Sequence, residues 1–243
     1  MSVKYLLTAL AVLANILLAN TVWADEATED WFNIAESSSY RWQGKIKSGS
    51  LTSINNKKNN GYVYVYQVEN KQTKRYEYGK VAVFLEACRK GYGYVYYNNM
   101  RDEYTGKDAF VRFGPTIADK LGTTSCLSWD NDTGKVSGQD NGNGWELAAE
   151  ASQSGSKYFL KRDTVRNRNY NGKPAIAAVH GKNDVRADTT SYSEYIIATS
   201  DCKKGFGTIY QLDFDGTLRD KSDVALNGDS VISGIASTLC GKL

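Results

Sequence analysis

The sequence predicts an α+β protein built from two tandem small antiparallel β-sheet domains, each closed by a C-terminal helix that an intradomain disulfide pins. Three observations predict it. The four cysteines fall in two pairs of equal spacing, Cys88 to Cys126 and Cys202 to Cys240, and the second pair follows the first by 114 residues (88 to 202, 126 to 240). The flanks repeat too: Cys88-Arg-Lys-Gly-Tyr-Gly answers Cys202-Lys-Lys-Gly-Phe-Gly, and Trp31 stands in register with Trp145. Within each copy, runs dense in β-branched and aromatic residues precede one segment of helical periodicity that ends at its cysteine.

Taken in order, Met1-Ser-Val-Lys4 precedes an apolar run from Tyr5 to Val22, and Val22-Trp-Ala24 supplies small residues at the positions a signal peptidase reads. Charge, apolar core and small-x-Ala together predict residues 1–24 as a cleaved secretory signal and the chain as periplasmic or secreted. The competing reading is an uncleaved anchor, since the run approaches bilayer-spanning length. No cysteine stands at the cleavage point to carry a lipid, and nothing later is apolar for long enough to insert stably in a membrane. Export makes disulfides the expected state of the cysteines. Four cysteines allow three pairings, and the repeat favours Cys88–Cys126 with Cys202–Cys240. A zinc site would need close Cys-x-x-Cys spacing, which is missing.

Residues 25–129 form the first expected domain, 130–144 a polar Gly/Asn/Asp linker, and 145–243 the second domain. Strands are expected at 62–68, 81–85 and 92–97 in the first copy, and at 158–160, 175–179, 195–199 and 208–214 in the second. Thr116 can cap a helix bearing Ile117 and Leu121 on one face, and Asp229 or Ser230 can cap one bearing Val231, Ile235 and Leu239. Each disulfide would then tie a helix end to the strand ending at Cys88 or Cys202. Tyr62, Tyr64 and Tyr66 alternate to one side, which is either a buried face or a binding surface.

Charge narrows the function. Residues 25–129 hold 15 Lys/Arg against 12 Asp/Glu, and residues 145–243 hold 13 against 12. Neither copy carries the positive field of a nucleic-acid binder. Leu212-Asp-Phe-Asp-Gly-Thr217 looks like the nucleophile motif of haloacid-dehalogenase phosphatases, but too little chain follows it for the remaining partners and a parallel crossover. A strand followed by an Asp-Gly turn explains the same letters. The acids Asp213, Asp215 and Asp220, or Asp130, Asp132 and Asp140, lack EF-hand spacing. His180 is the only histidine, and no cofactor motif is present. The remaining candidates are basic loops: Lys71, Lys74 and Arg75 in the first copy, and Arg162, Arg166 and Arg168 in the second. Such loops steer acidic glycans or proteins, or simply keep sheet edges solvated.

The stretch from Ser156-Lys-Tyr-Phe-Leu-Lys161 through Ser191-Tyr-Ser-Glu-Tyr-Ile-Ile-Ala-Thr-Ser-Asp-Cys202 to Ile235-Ala-Ser-Thr-Leu-Cys240 resembles the bacterial surface-adhesin protein E family. The likeness covers most of residues 145–243 and, with Ala87-Cys88 in place of Asp-Cys, part of 31–128. It implies a small antiparallel sheet with a C-terminal helix and, for the family's best-known member, attachment to host matrix proteins. This chain differs in carrying two copies and no lipid-attachment cysteine. The expected function is therefore an exported, non-catalytic binding protein with adhesin-like recognition of a protein or an acidic glycan. A periplasmic inhibitor or immunity protein that blocks an enzyme is the alternative, and a hydrolase is the reading from another class.

Overall fold

The computed structural model describes residues 31–45, 47–54, 57–133 and 144–243; the expected signal segment and most of the expected linker lie outside them. Two seven-stranded antiparallel sheets hold just over half of the described residues. The first is built from β1 (Trp31–Glu36), β2 (Tyr40–Lys45), β3 (Ser50–Ile54), β4 (Lys57–Asn70), β5 (Arg75–Phe84), β6 (Tyr92–Asn98) and β7 (Tyr104–Val111), ordered β1-β2-β4-β5-β6-β7 with β3 also on β4. The second repeats this order with β8 (Trp145–Glu150), β9 (Lys157–Lys161), β10 (Arg166–Tyr170), β11 (Lys173–Asp184), β12 (Thr189–Ala198), β13 (Phe206–Leu212) and β14 (Leu218–Ala225). Among the described residues α-helices are few: α1 (Leu85–Lys90) and α2 (Ile117–Thr133) in the first repeat, α3 (Thr199–Lys204) and α4 (Val231–Cys240) in the second. The fold is thus mostly β, with the helices confined to one face of each sheet.

The 114-residue offset holds without a slip from β5 onward, through the short helix, the next two strands and the start of the terminal helix. Both disulfides form as the repeat favours, Cys88–Cys126 with Cα atoms 5.2 Å apart and Cys202–Cys240 with Cα atoms 5.4 Å apart. Two details differ from the sequence expectation. Cys88 and Cys202 lie within α1 and α3, one step beyond their strands, so each bridge joins two helices rather than a strand and a helix. Each short helix stops at a glycine, Gly91 or Gly205, whose φ of 79° or 82° places it in the left-handed region that other residues enter only at a cost. The longer helix α2 also runs past Cys126 to Thr133, whereas α4 does end at Cys240.

Capping residues set the helix starts. Thr116 Oγ1 accepts from Asp119 N at 3.1 Å while Asp119 Oδ2 accepts from Thr116 N at 2.8 Å, a reciprocal box. Ser230 Oγ accepts from Ser233 N at 3.1 Å at the start of α4. Tyr62 and Tyr64 turn inward beneath α2 with Val81, Val83, Val95, Phe110 and Leu121, and Tyr66 packs at the rim. The alternating tyrosines are therefore core. The second core pairs Leu160, Ile176, Ile197 and Ile209 with Ile235 and Leu239 of α4.

One long strand in each repeat is shared along a single edge by two short ones. The strand β4 pairs with β2 over Tyr66–Asn70 and with β3 over Lys57–Val63, and β11 pairs likewise with β9 and β10. Where the short strands break, a hydroxyl takes over the missing acceptor role: Ser48 Oγ accepts from Val65 N at 2.8 Å, and Thr164 Oγ1 accepts from Val179 N at 2.9 Å. Both hydroxyls donate to the last carbonyl of the preceding strand, Lys45 O and Lys161 O. Since Val179 is fully buried, Thr164→Val is expected to strand its N–H and cost about 2 kcal/mol. The urea midpoint of the variant measures that cost, and a change within error would show that the hydroxyl is dispensable.

The repeats pack through the sheet faces that carry no helix. Tyr92 and Val111 of the first meet Val179 and Tyr192 of the second, with Trp145 and Phe214 alongside. Tyr192 Oη donates to Asp119 Oδ2 at 2.7 Å, so the carboxylate that boxes α2 also receives the other repeat. Burial raises the Asp119 pKa above the ordinary carboxylate value, against the pull of its hydrogen bonds from Val111, Tyr192 and Thr116.

Candidate functional site

The contact between repeats is head-to-tail, so equivalent surfaces meet different fates. Tyr92 is buried in it, yet its counterpart Phe206 is 62% exposed; Tyr192 is buried, yet its counterpart Tyr78 is 53% exposed. The contact buries Val179 and Tyr192 on the helix-free face of the second sheet, and on that of the first it takes Tyr92 and Val111 but leaves Tyr78 exposed.

Charged residues finish the closure on the second sheet. Glu194, almost entirely buried, accepts from Arg166 and, at 3.0 Å, from Arg168, both on β10. The Arg166 guanidinium also lies 5.4 Å from the centroid of the Tyr92 ring. In sheet register Ser50 and Thr52 stand where Arg166 and Arg168 stand, opposite Val63 and Gly61 as those are opposite Ala177 and Ala175. Lys80 takes the place of Glu194 and pairs with Asp102 at 2.7 Å. Removing two arginines leaves a groove of about 640 Å³ on the first sheet. Its lining mixes the hydroxyls of Ser50, Thr52 and Tyr104 with Tyr96, Asn98 and the Lys80–Asp102 pair. A cleft of this size with a few convergent polar groups fits the usual form of a ligand site.

The structure places the six basic candidates in three settings. Lys71, Lys74 and Arg75 sit at the turn between β4 and β5, where Lys71 pairs with Glu36 and Lys74 pairs with Glu69 at 3.0 Å. Lys71, and to a smaller extent Arg41, hold Glu36 below its ordinary pKa. Arg162 donates from Nε to Glu146 at 3.1 Å, and Lys242 reaches the same carboxylate at 2.7 Å. Arg166 and Arg168 are brought together, on Glu194. Lys71, Lys74, Arg162, Arg166 and Arg168 therefore each have a carboxylate partner within the chain, and exposed pairs of this kind add little to stability.

The aspartates of Leu212-Asp-Phe-Asp-Gly-Thr217 lie in a hairpin between β13 and β14. Asp213 N donates to Thr217 O at 2.9 Å, and Gly216 supplies the φ of 90° that the turn requires. Asp213 pairs with Arg219 and Asp215 pairs with Lys107 at 3.2 Å. Phe214 leaves the turn to pack 5.0 Å from Tyr92 and 6.0 Å from Tyr94, measured between ring centroids. The hairpin that looks catalytic is a wedge between the repeats. Among the described residues no group of three His, Cys, Asp or Glu side chains lies close enough to hold a metal, and both cysteine pairs are oxidised. His180 is buried on the helix-bearing face of the second sheet, and burial lowers its pKa to about 4, far from the range of a general base near neutrality.

Sequence reasoning missed the groove because the residues that open it, Ser50 and Thr52, are ordinary edge-strand residues. The signal was available only as a difference between copies, two arginines replaced by two hydroxyls in register. Comparison with protein families, curated proteins and solved structures finds no match to this chain. The likeness to the surface-adhesin protein E family rests on the sequence motifs alone. Among the described residues no helix is long and apolar enough to cross a membrane.

Proposed function

We propose that the protein is an exported, non-catalytic recognition protein with adhesin-like binding of a protein or glycan, and that its ligand lies in the open groove of the first sheet. The observation that carries this reading is the unequal fate of one surface in two copies of the same fold. On the second sheet that surface is closed by Arg166, Arg168, Glu194 and Tyr92. On the first it is open, hydroxylated and furnished with one compact ion pair, Lys80–Asp102. The groove, rather than the basic loops, is favoured because Lys71 and Lys74 are engaged by Glu36 and Glu69.

The test compares two variants of the mature chain on surfaces coated with matrix proteins and on immobilised glycans. Thr52→Trp fills the groove from its edge strand and is expected to lower binding by about tenfold or more. Lys71→Ala/Lys74→Ala/Arg75→Ala is expected to change it by less than about threefold, chiefly through charge steering. The reverse order would move the site to the basic turn. Capture of one enzyme as the sole tight partner would instead establish the inhibitor reading.

A further inference from the structure

A second site emerges when the helix-bearing faces of the two sheets are compared beyond the reach of α2 and α4. On the first sheet this patch is filled with aromatic side chains. Tyr66 and Tyr97 meet edge to face with ring centroids 6.4 Å apart. Tyr66 lies over Gly79, its cross-strand partner, so closely that a Cβ there would come within 2.8 Å of the ring. On the second sheet all three positions change together: His180 replaces Tyr66, Ser193 replaces Gly79 and Gln211 replaces Tyr97, in the same register. The result is a pocket of about 230 Å³ lined by His180, Ser193, Gln211, Tyr158, Tyr195 and Ser191, with Lys182 at one side.

The chemistry inside it is specific. His180 Nδ1 lies 3.3 Å from Ala178 O, an acceptor, so Nδ1 carries the proton and Nε2 is a bare acceptor. Among the described residues that buried Nε2 has no partner, and His180 is 1% exposed. Its ring meets Tyr195 edge to face at 5.0 Å, which fixes its plane. Gln211 Nε2 donates to Ser193 Oγ at 2.8 Å, leaving the Gln211 amide oxygen and the Ser193 hydroxyl proton for another molecule. The one charged side chain lining the pocket, Lys182, is neutralised by Asp184 at 2.8 Å. Arg219 and Asp220 act on Tyr195 with opposite sign. The pocket is smaller than drug-sized clefts and offers donors and acceptors with no net charge.

We infer that this pocket of the second repeat binds a single neutral sugar ring or similar small polyol, one hydroxyl of which donates to His180 Nε2. A hydroxyl can give its proton to Nε2 and accept from Ser193, a combination that neither a carboxylate nor an ammonium offers. The orphaned acceptor gains a partner, which removes the desolvation cost of leaving it bare. The site is independent of the groove on the first sheet.

His180 is the only histidine of the chain, so its imidazole nitrogens form a single set of signals in a long-range 1H–15N correlation spectrum. The mature 15N-labelled protein is titrated separately with D-glucose, D-galactose and N-acetyl-D-glucosamine. At least one of them is expected to move the Nε2 resonance saturably toward lower 15N frequency. Gln211→Tyr, which restores the residue of the first repeat, and Ser191→Phe at the exposed rim each keep the reporter and are expected to abolish the shift. Thr52→Trp in the groove is expected to leave it intact. A pocket that holds hydration water only gives no saturable shift with any of the three sugars and overturns the inference, as does a shift that survives in both pocket variants.

Discussion

Replacing both cysteines of the second bridge, Cys202→Ser/Cys240→Ser, is expected to lower the stability of the second repeat by about 4 kcal/mol. The 38-residue separation sets that figure through the entropy returned to the unfolded chain. It is a large share of the 5–15 kcal/mol that holds a typical domain. The consequence is sharper here than in the first repeat, although the separation is the same. The longer α2 is also held by the Arg112–Asp130 ion pair at 3.1 Å and by Asp119, which accepts from Val111, Thr116 and Tyr192. For α4 the polar ties are slighter: the Ser230 cap, a 2.9 Å bond from Asn227 N to Ser237 Oγ and a 3.4 Å contact from Thr238 to Ala148 O. Its remaining hold is apolar, through the buried Ile235, Ala236 and Leu239. Urea denaturation gives the total, and hydrogen exchange at residues 231–240 assigns it. A loss below about 1 kcal/mol would mean that packing alone keeps α4 in place.

The cysteine spacing made the architecture legible because a covalent constraint repeated at one interval leaves few alternatives. Strand runs such as 62–68 and 195–199 were legible because their faces are buried and apolar. The edge strands were not. In β14, Leu218-Arg-Asp-Lys-Ser-Asp-Val-Ala225 is charged at half of its positions and largely exposed, so it carries little of the alternation that marks a half-buried strand. The short helices α1 and α3 escaped notice for another reason: six residues cannot display a helical period. The contact between repeats was invisible because Tyr92, Tyr192 and Phe214 differ little in kind from the exposed Phe206, Tyr78 and Met100 of the other copy. A heterologous contact between like units must make such unequal use of equivalent surfaces. The Asp-Phe-Asp-Gly-Thr motif shows the same limit from the other side. Its aspartates belong to a turn and its phenylalanine to a contact that local sequence does not encode.

Acid is expected to weaken the second repeat through His180, by about 3 kcal/mol in full. The imidazole has an ordinary pKa of 6.5 when the chain is unfolded, and burial lowers it to about 4 in the folded protein. Between those values the unfolded chain binds a proton that the native state refuses, so stability falls as pH falls. The contribution is therefore complete above pH 6.5, declines through the interval and is lost below about pH 4. Other groups titrate in the same range, and the raised pKa of Asp119 acts in the opposite direction by favouring the folded state as it takes up its proton. Comparison with His180→Phe isolates the histidine. Phenylalanine keeps a ring against Tyr195, gives up the bond to Ala178 O and has nothing to titrate. Measured at intervals from pH 7.5 to 4, the stability of the unsubstituted protein should fall relative to that of the variant by about 3 kcal/mol. Parallel curves would mean that the histidine takes up its proton in the folded state without cost, through water admitted to the pocket. The same burial that makes protonation costly keeps Nε2 a neutral acceptor at physiological pH, so the pH profile and the sugar titration read two sides of one buried imidazole.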